Sequence, residues 1–466
     1  MWFSIHSPGK RCFQVGKALR TQCHRVEESV SVMTEPTAAI LLHPSATRER
    51  MIPTRPLPAR LEMNMRQLRA VVAVSQGGSV HKAASILHVT QPAVTRAVHE
   101  FEQAIGLALF ERTPKGMVAT AVGAILVERT QRAFAQLAHV ERELAEMGLS
   151  RRSSASINMK VTHRHLRALV AVDEHQTETA AALELDVSQP SVTQTLRELE
   201  RIVEADLFLR TARGMLATRV GEVMVRRTKL MFHELQQARD DIAAQLGNIT
   251  GRIVVGALPL ASTLLVPRAV TRLKKEYPEL LVTILEGTYE SLLTGLRCGD
   301  IDVLVGVLRY PVPYNDIVQE RLFEDLLSVV GRKGHPFAAA RSLRLADVID
   351  SEWVLPYKGA PSRKAFEQVM NAAGLPLPKN AIESNALVTL RALLIESDRL
   401  SILSRNQIHY EELHGMLSVL PIDMRGSERP IGITTRADAK RSVGLNALMQ
   451  SLRTVSDEMK PCGASR

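Results

Sequence analysis

The sequence predicts a multidomain fold: two α-helical winged helix-turn-helix domains, each followed by a long linker helix, and then an α/β domain of two subdomains. Three observations predict it. A stretch of about 70 residues occurs twice in the chain at a constant offset of 98 positions. An apolar heptad pattern follows each copy, and beyond Gly251 short apolar strands alternate with helical stretches.

The composition is that of a globular, basic protein. The chain has 466 residues, 45% of them hydrophobic, which is enough for roughly two to four domains. The net charge of +10 is compatible with an anionic polymer as partner, although many basic proteins bind none. Four scattered cysteines (Cys12, Cys23, Cys298 and Cys462) lack metal-ligand spacing and suit a reducing cytosol. We therefore predict no metal site.

Both ends of the chain lack a pattern. Residues 1–62 mix Pro, Arg, Thr and Ser without lasting periodicity, so we predict that they are disordered, and we predict the same for the tail 456–466. Met63 or Met65, where the pattern begins, is a candidate start of translation. No apolar run approaches the roughly 18 residues of a membrane span, and the N-terminus lacks the apolar core of a secretory signal. A cytoplasmic protein without a membrane partner is expected.

The repeat is long and free of gaps. Met65–Phe134 aligns with His163–Phe232, and within it AASILHVTQPAVT (83–95) matches AALELDVSQPSVT (181–193). About 30 of the roughly 70 aligned positions are identical, which is far above chance. The repeat is therefore a duplicated unit.

Each copy has the pattern of a helix-turn-helix. In the first copy an apolar helical face is followed by a short second helix at about Val80–Leu87 and by a turn at His88. Thr90 is a good N-cap for the next helix, and Pro92 lies in its first turn, where a missing N–H costs little. A capped helix with a polar outer face has the right width for the major groove of DNA.

A predicted hairpin follows each helix-turn-helix. The segment LFERTPKGMVATAVG turns at Gly116 and forms a wing that carries Arg112 and Lys115 towards phosphates. The alternative is a helical hairpin buried in some other core, which the wing disfavours. The candidate DNA-binding residues lie on the second and third helices and on the wing. They are Val80, His81, Lys82, Thr90, Gln91, Pro92, Ala93, Thr95, Arg96, His99, Arg112 and Lys115 in the first copy, and Ser188, Gln189, Pro190, Ser191, Thr193, Gln194, Arg197, Arg210 and Arg213 in the second.

The run AASILHVTQPAVTRAVHEFEQAIGLALFERTPKGMVAT resembles the DNA-binding domain of LysR-type bacterial transcription regulators. The resemblance covers nearly the whole of residues 65–455 and is specific in the helix-turn-helix and the wing. It implies a homo-oligomer that binds double-stranded DNA and responds to a small-molecule effector, with RNA polymerase as a further candidate partner.

Long helices follow both wings. Thr120 and Thr218 are candidate N-caps, and the residues beyond them keep a four-three spacing over about three heptads, which is typical of a coiled-coil seam. The seam positions are Leu126, Thr130, Ala133, Leu137, Val140, Leu144 and Met147 in the first helix, and Met224, Thr228, Met231, Leu235, Ala238, Ile242 and Gln245 in the second. The alternative is that each helix packs on its own domain. In LysR-type proteins the linker helices pair antiparallel between two subunits.

The duplication permits the same pairing within one chain. The connector GLSRRSSASINM (148–159) is rich in Ser and Arg and reaches up to about 40 Å when extended, so the second copy can attach where the first linker helix ends. We therefore hypothesise an intramolecular pseudo-dimer, in which one chain presents two recognition helices.

The two copies differ in charge. Residues 65–123 hold six Lys/Arg and three Asp/Glu, a net charge of +3, whereas residues 163–221 hold seven and nine, a net charge of −2. Glu178, Glu184 and Asp186 replace residues that carry no negative charge in the first copy. Because phosphate neutralisation supplies much of the affinity for DNA, the first copy is predicted to bind more tightly. The second copy either binds DNA as well or merely pairs with the first.

The remaining chain has an α/β pattern. Strands are predicted at 252–258, 281–287, 301–307, 326–332, 352–357, 399–405 and 430–436, with helices such as Pro267–Glu276 and Tyr289–Cys298 between them. Near-continuous apolar strands that alternate with helices predict a mostly parallel sheet covered on both faces, and their number suits two subdomains with a cleft between them. The run ILEGTYESLLTGLRCGDIDVLVGVLR resembles the periplasmic-binding-protein-like effector domain of LysR-type regulators.

The carboxyl ends of the strands nominate effector-binding residues, because open α/β sheets bind ligands there. The candidates are Pro259, Leu260, Ser262, Thr263, Thr288, Val307, Pro361, Ser362, Arg363 and Asn385, with Ser404 as a further one. For any single Ser or Thr the alternative is an ordinary helix cap or surface turn.

The resemblance adds expectations about the effector. Thr288 matches a position that often binds the effector's carboxylate in relatives. The usual hydroxyl residue after the first strand is replaced by ALPLAS, so Ser262 or Thr263 substitutes for it or that contact is lost. ALPLA and EGTYESLL also resemble a subgroup named for regulating a galactose-binding protein and aromatic-acid catabolism. A carboxylate or a sugar derivative is therefore the expected effector.

These features favour a transcription regulator over an enzyme. The sequence has no nucleophile–base pair, no metal-spaced His/Cys set and no phosphate-cradling glycine loop, so we predict no catalytic residue and no cofactor. Two alternatives are a DNA-organising protein without effector control and a solute-binding protein with degenerate helix-turn-helix domains. The predicted domains are the extension 1–62, the winged domain 63–123, the linker helix 124–147, the flexible linker 148–160, the second winged domain 161–221, the linker helix 222–247, the effector domain 251–455 and the tail 456–466.

Overall fold

The computed structural model of the protein describes residues 64–114, 116–149 and 156–459. The predicted disordered extension, positions 150–155 of the predicted flexible linker, the wing residue Lys115 and residues 460–466 lie outside this part of the chain. Among the described residues, no helix combines the length and the hydropathy that crossing a membrane requires.

The first head (residues 65–123) is three helices and a two-stranded hairpin that lead into a long helix. Its elements are α1 (Met65–Gly77), α2 (Val80–Leu87), α3 (Gln91–Ile105), β1 (Phe110–Thr113), β2 (Gly116–Ala119) and the long helix α4 (Ala121–Glu146). Ser79 caps α2, and His88 ends it in the left-handed conformation with φ of 54°, at the predicted turn. Val94 and Phe101 lie in the core between the helices.

The second head (residues 163–221) repeats this order of elements. They are preceded by α5 (Ile157–Lys160) and comprise α6 (His163–His175), α7 (Glu178–Leu185), α8 (Gln189–Val203), β3 (Phe208–Thr211), β4 (Gly214–Ala217) and the long helix α9 (Arg219–Gln245). Ile157 is fully buried, so the segment predicted as a flexible linker ends in a packed helical turn.

The two long helices, α4 and α9, pack against each other within the chain. They run antiparallel, because Arg129 near the start of α4 pairs with Asp241 near the end of α9, while Glu143 near the end of α4 pairs with Arg227 near the start of α9. The predicted caps and seam are confirmed. Thr120 and Thr218 each accept a hydrogen bond of 3.0 Å from a backbone N–H in the first turn. The seam residues are buried as far as Leu144 and Ile242, whereas Met147 is half-buried and Gln245 is exposed.

The rest of the described chain forms two five-stranded sheets with helices. Its elements are β5 (Arg252–Ala257), α10 (Leu265–Glu276), β6 (Leu281–Glu286), α11 (Tyr289–Cys298), β7 (Val303–Val307), β8 (Ile317–Asp325), β9 (Leu327–Arg332), α12 (Leu345–Val348), β10 (Trp353–Leu355), α13 (Pro361–Ala372), β11 (Ala381–Glu383), α14 (Leu387–Ile395), β12 (Leu400–Ser404), a 3-10 turn (Arg405–Ile408), α15 (His409–Leu413), β13 (Leu417–Val419), β14 (Arg429–Arg436) and α16 (Val443–Met459).

The first sheet has the strand order β6-β5-β7-β14-β8 and the second has the order β11-β10-β12-β9-β13. The predicted cover on both faces is confirmed: Val255 packs in one core with α10 and α16, while its neighbour Val254 packs in another with α11. The prediction of a mostly parallel arrangement is wrong. Each sheet has two parallel and two antiparallel pairings, because the chain passes from β8 of the first sheet directly into β9 of the second and returns as β14.

Three strands and one helix end differ from the prediction. Strands β8, β11 and β13 were not predicted. β8 (IVQERLFED) is rich in charge, and the other two have only three residues each. The predicted tail begins too early, because α16 continues to Met459 with Ser456 buried.

Candidate functional site

The exposed face of the first head is formed by the turn between α2 and α3. The left-handed conformation of His88 reverses the chain, and the Val89 N–H donates to the Ala84 carbonyl at 3.0 Å. Thr90 is the N-cap residue of α3 as predicted, but its side chain makes no capping hydrogen bond. Because Val94 and its neighbours on one side of α3 are buried, the opposite side of the helix faces solvent.

The predicted DNA-binding residues of the first head mostly lie on this face or on the wing. His81, Lys82, Thr90, Gln91, Pro92, Thr95, Arg96, His99 and Arg112 are exposed, while Val80 and Ala93 are half-buried. Gln91 Nε2 lies 2.6 Å from His81 Nδ1, which ties α3 to α2. Within the described part of the chain, Lys82, Arg96 and Arg112 form no ion pair. Three cations of this face are therefore available to phosphates.

The wing is anchored to the helices by backbone hydrogen bonds. The Met117 N–H donates to the Gly78 carbonyl at the end of α1 (2.8 Å), and the Leu109 N–H donates to the Glu102 carboxylate of α3 (2.7 Å). These contacts hold Arg112, on β1, on a fixed strand beside the helix-turn-helix. The other predicted wing cation, Lys115, lies outside the described residues.

The candidate DNA-binding residues of the second head lie at similar places on its helices and wing, but several of them make different hydrogen bonds. Ser188, Gln189, Pro190, Gln194, Arg197, Arg210 and Arg213 are exposed, and Ser191 and Thr193 are half-buried. Gln189 Nε2 and Arg210 Nη2 both donate to the carboxylate of Glu178, at 3.2 and 2.6 Å. Two candidate DNA-binding residues of the second head are thus hydrogen-bonded to a carboxylate of the same head.

A third candidate DNA-binding residue of the second head, Gln194, also has a hydrogen-bond partner within the protein. Gln194 Nε2 donates to Glu198 at 3.0 Å, and the ring of His165 lies 3.3 Å from the same carboxyl group. Hydrogen bonds from His165 and Gln194 hold the pKa of Glu198 below its usual value. Glu198 is therefore an anion under physiological conditions, and it lies on α8 one turn after Gln194.

A buried ion-pair network joins the linker helices to the C-terminal region. Arg129 of α4 is fully buried and donates to Glu234 (2.7 Å) and Asp241 (2.8 Å) of α9 and to the carbonyl of Lys440 (3.0 Å). Arg129 was not among the sequence-predicted residues, because it lies one position before the seam residue Thr130 and a helical Arg is normally exposed. It could have been found only by pairing it with the acidic residues of the second helix.

A second junction lies on α9. Arg436 donates to the ring of His233 (2.8 Å) and to the Leu296 and Ile301 carbonyls (2.8 Å each). Burial and the charge of Arg436 keep the pKa of His233 well below its usual value, so this histidine is neutral. Burial also raises the pKa of Asp302, which lies 3.5 Å from His233. The junction is therefore a packed contact in which a neutral histidine accepts a hydrogen bond from Arg436.

Lys229 of α9 connects the second head to the C-terminal region. Its ammonium group pairs with Glu174 of α6 (2.9 Å) and with Asp300 after α11 (3.2 Å). Burial alone would lower the pKa of Lys229, but the hydrogen bonds and charges of the two carboxylates raise it to about 12.

The predicted effector residues after β5 form one short turn. Pro259 is exposed, and the half-buried Ser262 and Thr263 donate to its carbonyl at 3.3 and 3.2 Å. Leu260 is only 4% exposed and packs in the core with α10 and α16, so the prediction that Leu260 contacts an effector is corrected. The apolar side chain of Leu260 anchors the turn to this core.

Thr288 and Val307 follow the two neighbouring strands. Thr288 is exposed and caps α11 by accepting a hydrogen bond from the Ser291 N–H (3.2 Å). Val307 is half-buried and packs against the same core as Leu260. The carboxyl ends of β5, β6 and β7 thus bring the first group of candidates to one edge of the first sheet.

The second group lies at the second sheet. Pro361 and Ser362 are half-buried in the first turn of α13, and the exposed Asn385 accepts a hydrogen bond from the Tyr357 N–H at 3.0 Å. Arg363 is 5% exposed and pairs with Glu367 at 2.8 Å, so the prediction that Arg363 contacts an effector is corrected.

The crossing between the sheets carries a buried polar cluster. Asp325, the last residue of β8, pairs with Arg429 at the start of β14 and accepts hydrogen bonds from Ser404 and from Asn406 (3.4 Å). Ser404 is therefore a buried partner of Asp325, which corrects its assignment as a residue of the cleft. The cluster fixes the two crossing strands against β12.

Comparisons with known families identify three segments. Residues 65–124 and 163–222 each match the family described as "Bacterial regulatory helix-turn-helix protein, lysR family". Residues 247–457 match the "LysR substrate binding domain". Together the three matches cover both heads and both sheets.

Curated relatives point the same way. The chain is 34% identical over 395 residues to the HTH-type transcriptional regulator GalR of Pseudomonas putida, an alignment that covers 85% of this chain and 98% of that protein. It is 31% identical over 303 residues to the regulator PcaQ of Agrobacterium fabrum, covering 65% of this chain and 97% of PcaQ. Among solved structures, a full-length OxyR variant from Pseudomonas aeruginosa matches with a TM-score of 0.50 and 25% identity, covering 63% of this chain and 95% of that one.

Proposed function

Because this chain belongs to the LysR family of DNA-binding transcriptional regulators, with a C-terminal effector-binding domain, we propose that it is a pseudo-dimer: one chain that holds two winged heads on its own pair of linker helices. Regulators of this family bind DNA and small-molecule effectors and form oligomers. The duplication would let a single chain supply what two subunits supply elsewhere in the family.

The observation that carries the proposal is the antiparallel packing of α4 on α9. Both apolar seams are buried in this packing, and the ion pairs of Arg129 with Glu234 and of Glu143 with Arg227 cross it. Since the seam is used within the chain, it is not free to pair with a second copy. The alignment with PcaQ is about 90 residues shorter than the one with GalR, close to the length of one repeat, which supports a single additional head in this chain.

We propose that the first head, whose exposed cations are unpaired among the described residues, contributes most of the DNA binding. Lys82, Arg96 and Arg112 are exposed and unpaired among the described residues, and cations of this kind neutralise phosphates. Replacing Arg96 by Ala should weaken binding to a duplex by tenfold or more at low salt, while Arg197→Ala in the second head should weaken it much less. Binding of both variants is measured by fluorescence anisotropy. Equal losses would contradict the assignment.

Effector control is assigned to the two-sheet region, which we propose to be two subdomains around a cleft. Binding of a carboxylate or sugar derivative between the residues after β5 and the start of α13 would close the cleft and shift the population of head arrangements. The contacts of Arg436 with His233 and of Lys440 with Arg129 are a route by which closure reaches the linker helices. A thermal-shift screen of small carboxylates and sugars, followed by DNA footprinting with each hit, tests this; hits that never alter the footprint would favour an architectural DNA-binding protein.

The remaining assignments follow from the family. We propose a cytoplasmic regulator without enzymatic activity, because the family consists of transcriptional regulators. Contact with RNA polymerase belongs to the same proposal.

A further inference from the structure

One carboxylate joins two DNA-facing elements of the second head. Glu178 is the first residue of α7, and its side chain is only 7% exposed. It accepts hydrogen bonds from Gln189, the first residue of α8, at 3.2 Å and from Arg210, on the wing strand β3, at 2.6 Å. The recognition helix and the wing of this head are therefore both bonded to one anion.

The first head lacks this anion. The residue equivalent to Glu178 is Val80, which carries no charge. Arg112, which is equivalent to Arg210, forms no ion pair among the described residues, and Gln91 contacts His81 instead of a carboxylate. The wing arginine is thus paired in the head that has a carboxylate at this position and unpaired, among the described residues, in the head that has valine there.

A second difference, on the recognition helix, also lowers the positive charge that the second head offers to DNA. Where the first head has the unpaired cation Arg96, the second head has Gln194, which donates to Glu198 at 3.0 Å. Arg197 and Arg213 are the exposed cations of the candidate set that keep no carboxylate partner among the described residues. The second head therefore retains some attraction for phosphate, but less than the first.

A phosphate that approaches Arg210 must compete with a carboxylate that is already bonded to it. A charge-assisted contact of 2.6 Å is strong, and the Glu178 charge itself repels phosphate. In counterion terms, a cation that stays paired with its own protein releases no DNA counterion, so it adds nothing to the salt dependence of binding.

We propose that Glu178 is an internal counter-ion that keeps the second head from reading DNA tightly, so that one chain carries one strong and one weak reading head. This inference rests on the proposed function, since it concerns the same DNA-binding surface. The pseudo-dimer is then asymmetric: the first head supplies most of the affinity, and the second head mainly positions the pair of linker helices.

The test replaces Glu178 by the residue of the first head. Glu178→Val should bind a 50-base-pair duplex of mixed sequence about three- to tenfold more tightly than the parent at low salt, with a slope of log Kd against log salt that is steeper by about 1. The matched control is Glu184→Val, which removes an equal charge from the same helix. Glu184 pairs with His175 and not with a candidate DNA-binding residue, so it should give a smaller gain and leave the slope unchanged.

A second substitution tests whether Arg210 is the side chain that gains the contact with phosphate. In the Glu178→Val background, Arg210→Ala should return both the affinity and the slope to the parent values. Glu178→Gln, which keeps the shape of the side chain, should also increase binding and serves if the valine variant is poorly folded by circular dichroism. A Glu178→Val gain no larger than that of Glu184→Val, or a gain that survives Arg210→Ala, would overturn the proposal.

The same duplex separates this failure from failure of the proposed function. If the parent binds and Arg96→Ala weakens binding by about tenfold or more while Glu178→Val changes nothing, the regulator assignment stands and the counter-ion proposal is wrong. If the parent does not bind duplex DNA even at low salt, the DNA-binding function itself is wrong.

Discussion

Two glycines at equivalent positions set how closely each long helix approaches its wing. A Cβ at Gly123 would lie 2.0 Å from the Leu109 carbonyl oxygen, and a Cβ at Gly221 would lie 2.0 Å from the Leu207 carbonyl oxygen. Both obstacles are backbone atoms, which move less easily than the end of a flexible side chain. A residue without a side chain is therefore required at the first turn of α4 and of α9.

Alanine at either glycine should destabilise the protein by about 2–3 kcal/mol, at the upper end of the usual cost of overpacking. The measurement is the midpoint of urea unfolding, followed by circular dichroism. Gly148→Ala, at a glycine where a Cβ meets nothing within 4 Å but φ is 76°, separates backbone strain from collision and should cost only about 1 kcal/mol. Similar losses at Gly123 and Gly148 would contradict the collision.

One carboxyl group gives stability an unusual pH dependence. Burial raises the pKa of Asp240, on α9 beside Gly251, from 3.8 to about 6. The folded protein then binds a proton more tightly than the unfolded chain, so this group favours folding at low pH and loses that contribution as the pH rises from about 4 to about 6. Asp240→Asn should be more stable than the parent by about 1–3 kcal/mol at pH 7 and nearly equal to it at pH 4. Urea unfolding at both pH values measures this, with exposed Asp206→Asn as control; an unchanged difference between pH 4 and pH 7 would refute it.

At the scale of elements, the helices were easier to predict than the strands. Periodicity and cap residues identify the third helix of the first head, because α3 carries its buried apolar residues at helical spacing and Thr90 stands at its N-cap position. The short edge strands have no such local signal. Strand β8 contacts β14 more than a hundred residues away, so its place depends on pairing that no local pattern records.

The candidate sites divide in the same way. Exposure of Arg96 and its neighbours follows from the helical period, so the DNA-facing residues of the first head could be predicted from the sequence. The bonding of Arg210 to Glu178 and the burial of Leu260 and Arg363 could not, because each depends on parts of the chain that only tertiary packing brings together.

The packing of the two linker helices depends on one side chain of the buried ion-pair network, that of Arg129. Replacing Arg129 by Ala would leave Glu234 and Asp241 buried without their main cation, which should cost about 3–5 kcal/mol. The control is Arg132→Ala, three residues along the same helix. Its side chain is 31% exposed and also pairs with Glu234, so the loss should be about 1 kcal/mol or less. Unfolding midpoints of the two variants decide it, and comparable losses would mean that the Arg129 network adds little to stability.

At the scale of the whole molecule, the antiparallel pairing of α4 and α9 determines what the functional unit is. Each of the two antiparallel helices follows one winged head, so one chain has the head number of a conventional dimer. Oligomers of this protein, which the family leads us to expect, would then have to form through surfaces other than the linker seam.

Charge reversal across the seam distinguishes pairing within the chain from pairing between chains. Glu143 pairs with Arg226 and Arg227, and all three side chains are at most 23% exposed. Glu143→Arg alone, and Arg226→Glu with Arg227→Glu alone, each place like charges together and should lower the unfolding temperature, while all three changes in one chain should restore much of it. If the pairing is intramolecular, refolding the two defective proteins together rescues neither, since each chain must pair with itself. A mixture that regains the parent's unfolding temperature and DNA affinity would show that the helices pair between chains, and the pseudo-dimer would have to be abandoned.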